Sequence, residues 1–300
     1  MGSLFVTGGR GFIGRHFLRA LDPARWEHIY CLSRAGDDLD APILEHENVR
    51  VVTGDLSDAD RYASALARCR TVVHLAAATG KASRAEYFRV NADGTNALLE
   101  ASKRAGVREL LHVSSISARF ASRTSYPYGE SKRMAEDAVT ASGLAYTIVR
   151  PTIVIGKEGA SWRALAKLAA LPLIPMFGNG RTRIQPIYVD DVAAYLRTIL
   201  EANRFANETI ELGGPEITTF KSLLREAHYL QRRRTAWTIG VPLRPLVLLL
   251  RLLEKIAPVN AGQLAAFQHD GTVGTAGARV PLPSRMRNVN EMLRLVIDNV

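Results

Sequence analysis

Three hundred residues with 47% hydrophobic content suffice for a large core, either as one extended α/β domain or as a dinucleotide domain with a smaller appendage, and the second is expected. The 39 basic against 29 acidic residues give a net charge of +10, which suits an anionic cofactor, an anionic substrate or an acidic membrane surface. The basic residues are spread out, without aromatic interleaving, zinc-finger spacing or any metal-ligand cluster, so no nucleic acid and no metal is expected.

The chain opens on Leu4-Phe5-Val6, an apolar run that reads as a buried parallel strand, followed by Thr7-Gly8-Gly9-Arg10-Gly11-Phe12-Ile13-Gly14. Phe12, Ile13, Phe17, Leu18 and Leu21 then recur at helical spacing. Strand, tight turn and helix N-terminus thus follow directly, and Gly8, Gly11 and Gly14 let a pyrophosphate approach the free amides of the helix start. Arg10, Phe12 and Ile13 belong to the same expected cofactor-binding segment. The first strand begins almost at Met1, so no signal peptide and a cytoplasmic location are expected. Val6 stands where a myristoylation signal needs Ser or Thr. Cys31 and Cys69 lie in or beside apolar runs and are expected as small buried thiols rather than a disulfide.

Ile29 to Leu32 read as the second strand, ending at Ser33-Arg34. A small residue followed by Arg accommodates a ribose 2′-phosphate, where an acidic side chain would hold the 2′-hydroxyl. NADP(H) is therefore the expected cofactor, with Arg10 as a second cation, and NAD(H) is the alternative. Val49 to Thr53 form a third strand leading into Gly54-Asp55-Leu56-Ser57-Asp58, where Asp55 can bond the adenine amino group and Ser57 or Asp58 can cap a helix. The fourth strand, Thr71 to His74, runs into Leu75, Ala76, Ala77 and Ala78, whose small side chains let the backbone lie near the cofactor; His74 reads as a packed strand residue. Asn91 to Thr95 open another helix, and Leu110 to Val113 make a fifth strand ending at Ser114-Ser115. This alternation predicts a Rossmann-type doubly wound parallel α/β sheet with its ligand site at the carboxyl ends of the strands.

Tyr128 and Lys132 stand four apart at the start of a helical pattern and so share a helix face. Lys132 is expected to lower the phenol's pKa, letting Tyr128 exchange a proton with a substrate oxygen, and Ser115 can bond the same oxygen. Tyr126 has Glu130 rather than Lys four residues on and is assigned to packing or substrate contact.

With these residues in hand, the chain resembles the extended short-chain dehydrogenase/reductase family, also called the NAD-dependent epimerase/dehydratase family. The likeness covers the glycine turn, Gly54-Asp55-Leu56, His74-Leu75-Ala76-Ala77, Asn91 with Gly94-Thr95, Ser114-Ser115, Tyr128 with Lys132, Arg150-Pro151 and Tyr188-Val189-Asp190-Asp191-Val192. It implies Tyr128 as general acid/base, Lys132 on the nicotinamide ribose, Ser115 on the carbonyl, Asn91 as a further member of the catalytic set, and Asp55 and the Ala76 region along the cofactor path. Nucleotide-sugar members carry an Asn soon after the Arg-Pro strand and an Arg before the Tyr-Val-Asp-Asp segment. Here Thr152 to Gly156 follow Arg150-Pro151, and the expected Arg position falls on Ile184, with Arg181 and Arg183 nearby. Pro175 to Gly180 with Gln185 to Val192 is closer to the atypical branch that includes the respiratory complex I accessory subunit and relatives acting on quinone-like or steroid-like molecules.

The expected organisation is a dinucleotide-binding domain over 1–155, with 181–204 returning to it, and a smaller, mainly C-terminal substrate lobe made of 156–180 and 205–300. Phe220 to Gln231 and Val289 to Val300 read as helices, and Gly271 to Arg287 as an irregular cover. Leucine-rich 242–257 is too short to span a bilayer, which needs about 20 residues, and reads as a core helix or as an interfacial helix giving peripheral membrane contact at the inner face of a membrane. The expected activity is an NAD(P)-dependent interconversion of a ketone and a secondary alcohol on a hydrophobic small molecule. The alternatives are a nucleotide-sugar epimerase/dehydratase and a non-catalytic NADP(H)-binding subunit. The oligomeric state is left open.

Overall fold

Apolar runs of about five residues, each closed by a glycine or a helix start, dictate the architecture, because such strands are buried on both faces only when helices cover them. A computed structural model describes residues 1–36, 42–120, 126–177, 180–242, 269–273 and 285–297. In chain order the first half carries β1 (Ser3–Thr7), α1 (Phe12–Ala20), β2 (Ile29–Ser33), β3 (Val49–Thr53), α2 (Ala59–Leu66) and β4 (Cys69–His74). A short α3 (Arg84–Tyr87) passes through a π-turn (Phe88–Asp93) into α4 (Gly94–Arg104), followed by β5 (Glu109–Val113), α5 (Pro127–Ala141) and β6 (Ala145–Pro151).

The second half has β7 (Val154–Ile155), α6 (Ala160–Ala169), β8 (Leu173–Phe177), β9 (Arg183–Ile184), β10 (Ile187–Tyr188) and α7 (Val189–Glu201). It closes with β11 (Glu208–Leu212), β12 (Thr218–Thr219), α8 (Phe220–Arg232), β13 (Trp237–Val241) and α9 (Val289–Val296). Seven strands pair in the order β11-β6-β5-β4-β1-β2-β3, all parallel. The expected Rossmann-type sheet is therefore present, and its order reverses between β1 and β4, where such sheets bind ligands.

Both sheet faces are covered. α1 and α7 pack on one, burying Phe17, Leu18, Val192 and Leu196 against Leu4, Val6 and Val73. α2, α4 and α5 cover the other, with Tyr62, Leu66, Leu98 and Val139 on Phe5, Val72 and Leu110. Each such side chain contributes about 1.5–3 kcal/mol on burial, so Phe17→Ala would cost about 3–5 kcal/mol.

Six short strand segments pair away from the main sheet, β7 with β10 and β8 with β13 in parallel, and β9 with β12 antiparallel. Around them Trp162, Leu165, Phe220, Leu224, Met292 and Leu293 form a third core that joins α6, α8 and α9. β11 corrects the sequence reading. Its residues fall within 205–300, which was assigned to the smaller lobe, yet they form the edge of the main sheet beside β6. Cys31 and Cys69 are buried and free, and burial pushes each thiol up to about 12. Among the described residues no helix is long and apolar enough to cross a membrane, and no His/Cys/Asp/Glu group could hold a metal. Within 242–257 all but Pro242, and most of the predicted cover, lie outside the described residues.

Candidate active site

The glycine turn is shaped by contacts that leave no room for a Cβ. Gly8 has φ +71°, and a Cβ there would stand 2.3 Å from the Ala76 amide nitrogen. A Cβ on Gly14 would lie 2.0 Å from the Gly8 carbonyl oxygen, so the first turn of α1 packs directly on the loop that precedes it. Gly11 is the N-cap of α1 and offers no side chain to its amides, and no acidic residue occupies the first turn. The amides and the positive end of the helix dipole are thus left for an anion, which is what a pyrophosphate requires.

The cleft beside this turn is lined by Gly8, Arg10, Gly11, Ser33, Arg34, Asp55, Leu56, Leu75, Ala76 and Ala77. These ten expected cofactor residues therefore come together. Phe12 and Ile13 do not join them: the Phe12 ring packs where side chains on Gly156 and Gly159 would clash, and Ile13 packs on the core. Thr7, Glu86 and Val90 also line the cleft, and the sequence reading missed them. Of these, Thr7 had a legible signal, as the last strand residue before the first glycine.

Asp55 Oδ1 accepts from the Ser57 amide at 3.1 Å and hydroxyl at 2.8 Å, and the Ser57 amide is the leading cause that holds its pKa below the ordinary carboxylate value. Arg89 and Arg34 add to that lowering. The charge of Arg34 therefore faces an ionised carboxylate, and Ser33 is 7% exposed. The pair read as a 2′-phosphate pocket is in fact one buried hydroxyl and one cation offset by Asp55.

At the end of β5, Ser114 donates its amide to the Val149 carbonyl at 2.7 Å, fixing the strand end from which Ser115 projects. Pro127 starts α5 with its fixed φ and no amide to leave unpaired. Tyr128 follows, half-buried, with its phenol close enough to the Ser115 side chain for that hydroxyl to influence its pKa. Burial pushes the phenol up to about 12, and Ser115 works against it. Lys132 is not among the causes that set the phenol, so the lowering expected from it is not found. Tyr87 and Tyr126 pack on the Tyr128 ring at centroid distances of 5.7 and 5.6 Å. Lys132, one turn along, is 1% exposed, and its ammonium donates to the Val113 carbonyl at 2.8 Å and lies 3.4 Å from His112 Nε2. Burial pulls its pKa down to about 8 against a raising influence from Glu136.

Asn91 sits in the π-turn with both ends of its amide engaged. Its oxygen accepts from the Ala78 amide at 2.7 Å, and its nitrogen donates to the Ala78 carbonyl at 3.1 Å and to Ser131 Oγ at 3.0 Å. This side chain clamps the loop after β4 to the helix that carries Tyr128. His74 bonds Thr7 and Thr95 at 2.7 and 2.9 Å and is pushed down to about 3 by burial, so it is a neutral packed residue as expected. His112 stacks on it with ring centroids 5.1 Å apart and was missed, because it occupies an ordinary inward strand position.

Ile184, the position at which a phosphate-binding Arg was expected, is 4% exposed within the third core. Arg150 is bidentate to Glu136 at 2.8 and 2.5 Å, and Arg119 bonds Glu211 at 2.7 Å. The Tyr188-Val189-Asp190-Asp191 segment ties the lobes: Asp190 bonds His16 of α1 at 2.5 Å, and Asp191 bonds Arg287 at 2.6 Å.

The profile of the NAD dependent epimerase/dehydratase family matches residues 4–213. A ceramide reductase from Caulobacter vibrioides (strain NA1000 / CB15N) is 39% identical over 197 residues, 65% of this chain and 60% of that protein. The match thus spans less than two thirds of that relative. A dTDP-glucose 4,6-dehydratase from Streptomyces niveus is 28% identical over 244 residues, covering 70% of this chain and 72% of the relative. A solved dTDP-glucose 4,6-dehydratase from Streptomyces venezuelae superposes with a TM-score of 0.71 at 22% identity, covering 98% of this chain and 95% of its own. That structure holds NAD, as does a UDP-glucuronic acid 4-epimerase from Bacillus cereus with a TM-score of 0.68. These bound cofactors overturn the NADP(H) preference read from Ser33 and Arg34. The finer likeness to the complex I accessory branch has weak support, a 27% identity to an Arabidopsis thaliana NADH dehydrogenase subunit.

Proposed function

The chain belongs to the NAD dependent epimerase/dehydratase family, and from that membership we propose that it interconverts a ketone and a secondary alcohol with NAD(H), Tyr128 exchanging the proton on the substrate oxygen. The observation that carries this reading is the Tyr128 phenol set against the Ser115 side chain, which lowers its pKa, with Lys132 buried one turn along the same helix.

Bound along the cleft at the glycine turn, the dinucleotide would supply or accept the hydride. Gly8, Gly11 and the start of α1 would hold its pyrophosphate, and Asp55 with the Ala76 loop would flank the adenosine and the path to the nicotinamide ribose. Ser115 donates to the substrate oxygen and orients it. Tyr128 Oη gives that oxygen a proton as the alcohol forms and takes it back in the reverse direction. A phenol at about 12 is a weak acid, so Ser115, which lowers it, would favour the phenolate that appears as the proton leaves, and the Lys132 ammonium would serve the nicotinamide ribose. Asn91 acts by position, holding the loop after β4 and Ser131 of α5 in one arrangement.

For the substrate we propose a hydrophobic, lipid-like ketone. The ceramide reductase relative supports it, and so does the site, where Ile184 is buried and Arg150 and Arg119 are committed to Glu136 and Glu211. A substrate diphosphate would have to compete with these carboxylates for its cations. The second reading, a nucleotide-sugar epimerase/dehydratase, has the broader backing from the comparisons, because the dTDP-glucose dehydratase relative matches a larger share of both chains. Assays of NADH oxidation with ceramide-like ketones, and of nucleotide-sugar conversion with bound NAD, separate the two. Turnover of the ketones alone supports the first, and turnover of the sugars alone replaces it with the second.

A further inference from the structure

We propose that the outer face of the β8–β13 pair, bordered by Arg232, Arg233 and Arg234, docks the protein on an anionic lipid surface. Pairing aligns Trp237 with Leu173 and Ile239 with Pro175. Alternation turns Ile174 and Met176 into the third core, where they are 0% and 2% exposed, and sends their neighbours outward. Trp237 is consequently 79% exposed, Ile239 50%, Leu173 49%, and Leu171 just before the strand 41%. Parallel strands are ordinarily covered on both faces, so an outward row of Trp, Ile and Leu here calls for an occupant.

Charge decides which occupant. Arg232, Arg233 and Arg234 are all exposed at the end of α8, and the Arg232 guanidinium donates to the Ala170 carbonyl at 3.4 Å, which places a cation beside Leu171. An indole flanked by arginines and aliphatic side chains matches the boundary between headgroups and acyl chains. The whole chain carries +10, so the long-range field adds to the attraction of an anionic surface. A water-filled cleft or a neutral protein surface makes no use of the three adjacent arginines. This inference concerns binding and does not depend on the substrate proposed above.

The molecule carries its own reporter. Of its three tryptophans, Trp26 and Trp162 are buried at 8% and 3% exposure, so emission changes on binding report Trp237. The full chain is mixed at low salt with vesicles of phosphatidylcholine and phosphatidylglycerol, and separately with vesicles of phosphatidylcholine alone. Expected are sedimentation with the anionic vesicles, a blue shift of emission, and release at high salt. Trp237→Asp should abolish binding, and the Arg233→Gln/Arg234→Gln double variant should lower affinity by about one order of magnitude, each cation near the surface being worth roughly fivefold. Both variants should melt as wild type does, since the changed side chains are exposed. Wild type left in the supernatant, variants that bind as well as wild type, or a concentration-dependent self-association removed by Trp237→Asp would each overturn the proposal, the last in favour of a second copy of the chain as occupant.

Discussion

The ammonium of Lys132 lies 3.4 Å from Nε2 of His112, inside the wall of the site and out of contact with water. The imidazole is held neutral, because burial pushes its pKa well below the ordinary histidine value, and Lys132 pushes it the same way. A neutral imidazole beside the ammonium can only accept, so it favours the charged lysine against the burial that lowers it to about 8.

This pair makes a prediction about pH. The cation is present below about 8 and is lost as pH rises through that value, so kcat/KM for NADH should fall on the alkaline side with an apparent pKa near 8. His112→Leu removes the acceptor and should move that limb to lower pH, while Lys132→Met should weaken NADH binding and eliminate the limb. A limb unmoved by His112→Leu would reduce His112 to packing.

The His16–Asp190 pair gives a stability prediction. The hydrogen bond that His16 Nδ1 donates to Asp190 is the largest cause raising the pKa of His16, and the same bond lowers that of Asp190. The histidine contribution is fully present below its unfolded value of about 6.5 and is lost as pH rises through the higher folded value. The aspartate contribution is present above about 3.9 and is lost as pH falls through the lower folded value. The Asp190 side chain is 46% exposed, so solvent screening limits the pair to about 0.5–1 kcal/mol. Urea unfolding should therefore show His16→Gln less stable than wild type by that amount near pH 6, and the difference should vanish near pH 9. An equal loss at both values would assign the effect to packing against Phe12.

A third prediction concerns the turn. Gly8→Ala meets both a left-handed backbone and the Ala76 amide at 2.3 Å, so the loop after β4 has to move. It should cost about 1–3 kcal/mol in unfolding experiments and weaken NADH binding by more than tenfold, since the displaced backbone faces the pyrophosphate. Wild-type affinity and stability in this variant would place the cofactor elsewhere.

What the sequence disclosed follows the range of the interactions. The strand, glycine turn and helix over Ser3–Ala20 were legible because all three signals are local. Ser115 and Tyr128 were legible because a strand end and a helix start set their spacing. The tuning of Tyr128 was misread, since the one-turn spacing to Lys132 says nothing of burial, which dominates its pKa. Arg34 was misread because the carboxylate that offsets it, Asp55, lies at the end of a neighbouring strand. β11 escaped for the same reason: as a sheet edge it has no local mark, and only pairing with β6 defines it. The exposed row around Trp237 depends on the pairing of β8 with β13, two segments far apart in the chain.

Tyr128→Phe, assayed for turnover and for NADH binding on one preparation, isolates the proton transfer from the rest of the site. Only the hydroxyl that carries the proton is removed, while the ring keeps its packing on Tyr87 and Tyr126. Expected is a fall in kcat of roughly 10²- to 10⁴-fold, with NADH affinity within a few-fold of wild type. A variant that retains most of its turnover would contradict Tyr128 as the group that exchanges the proton.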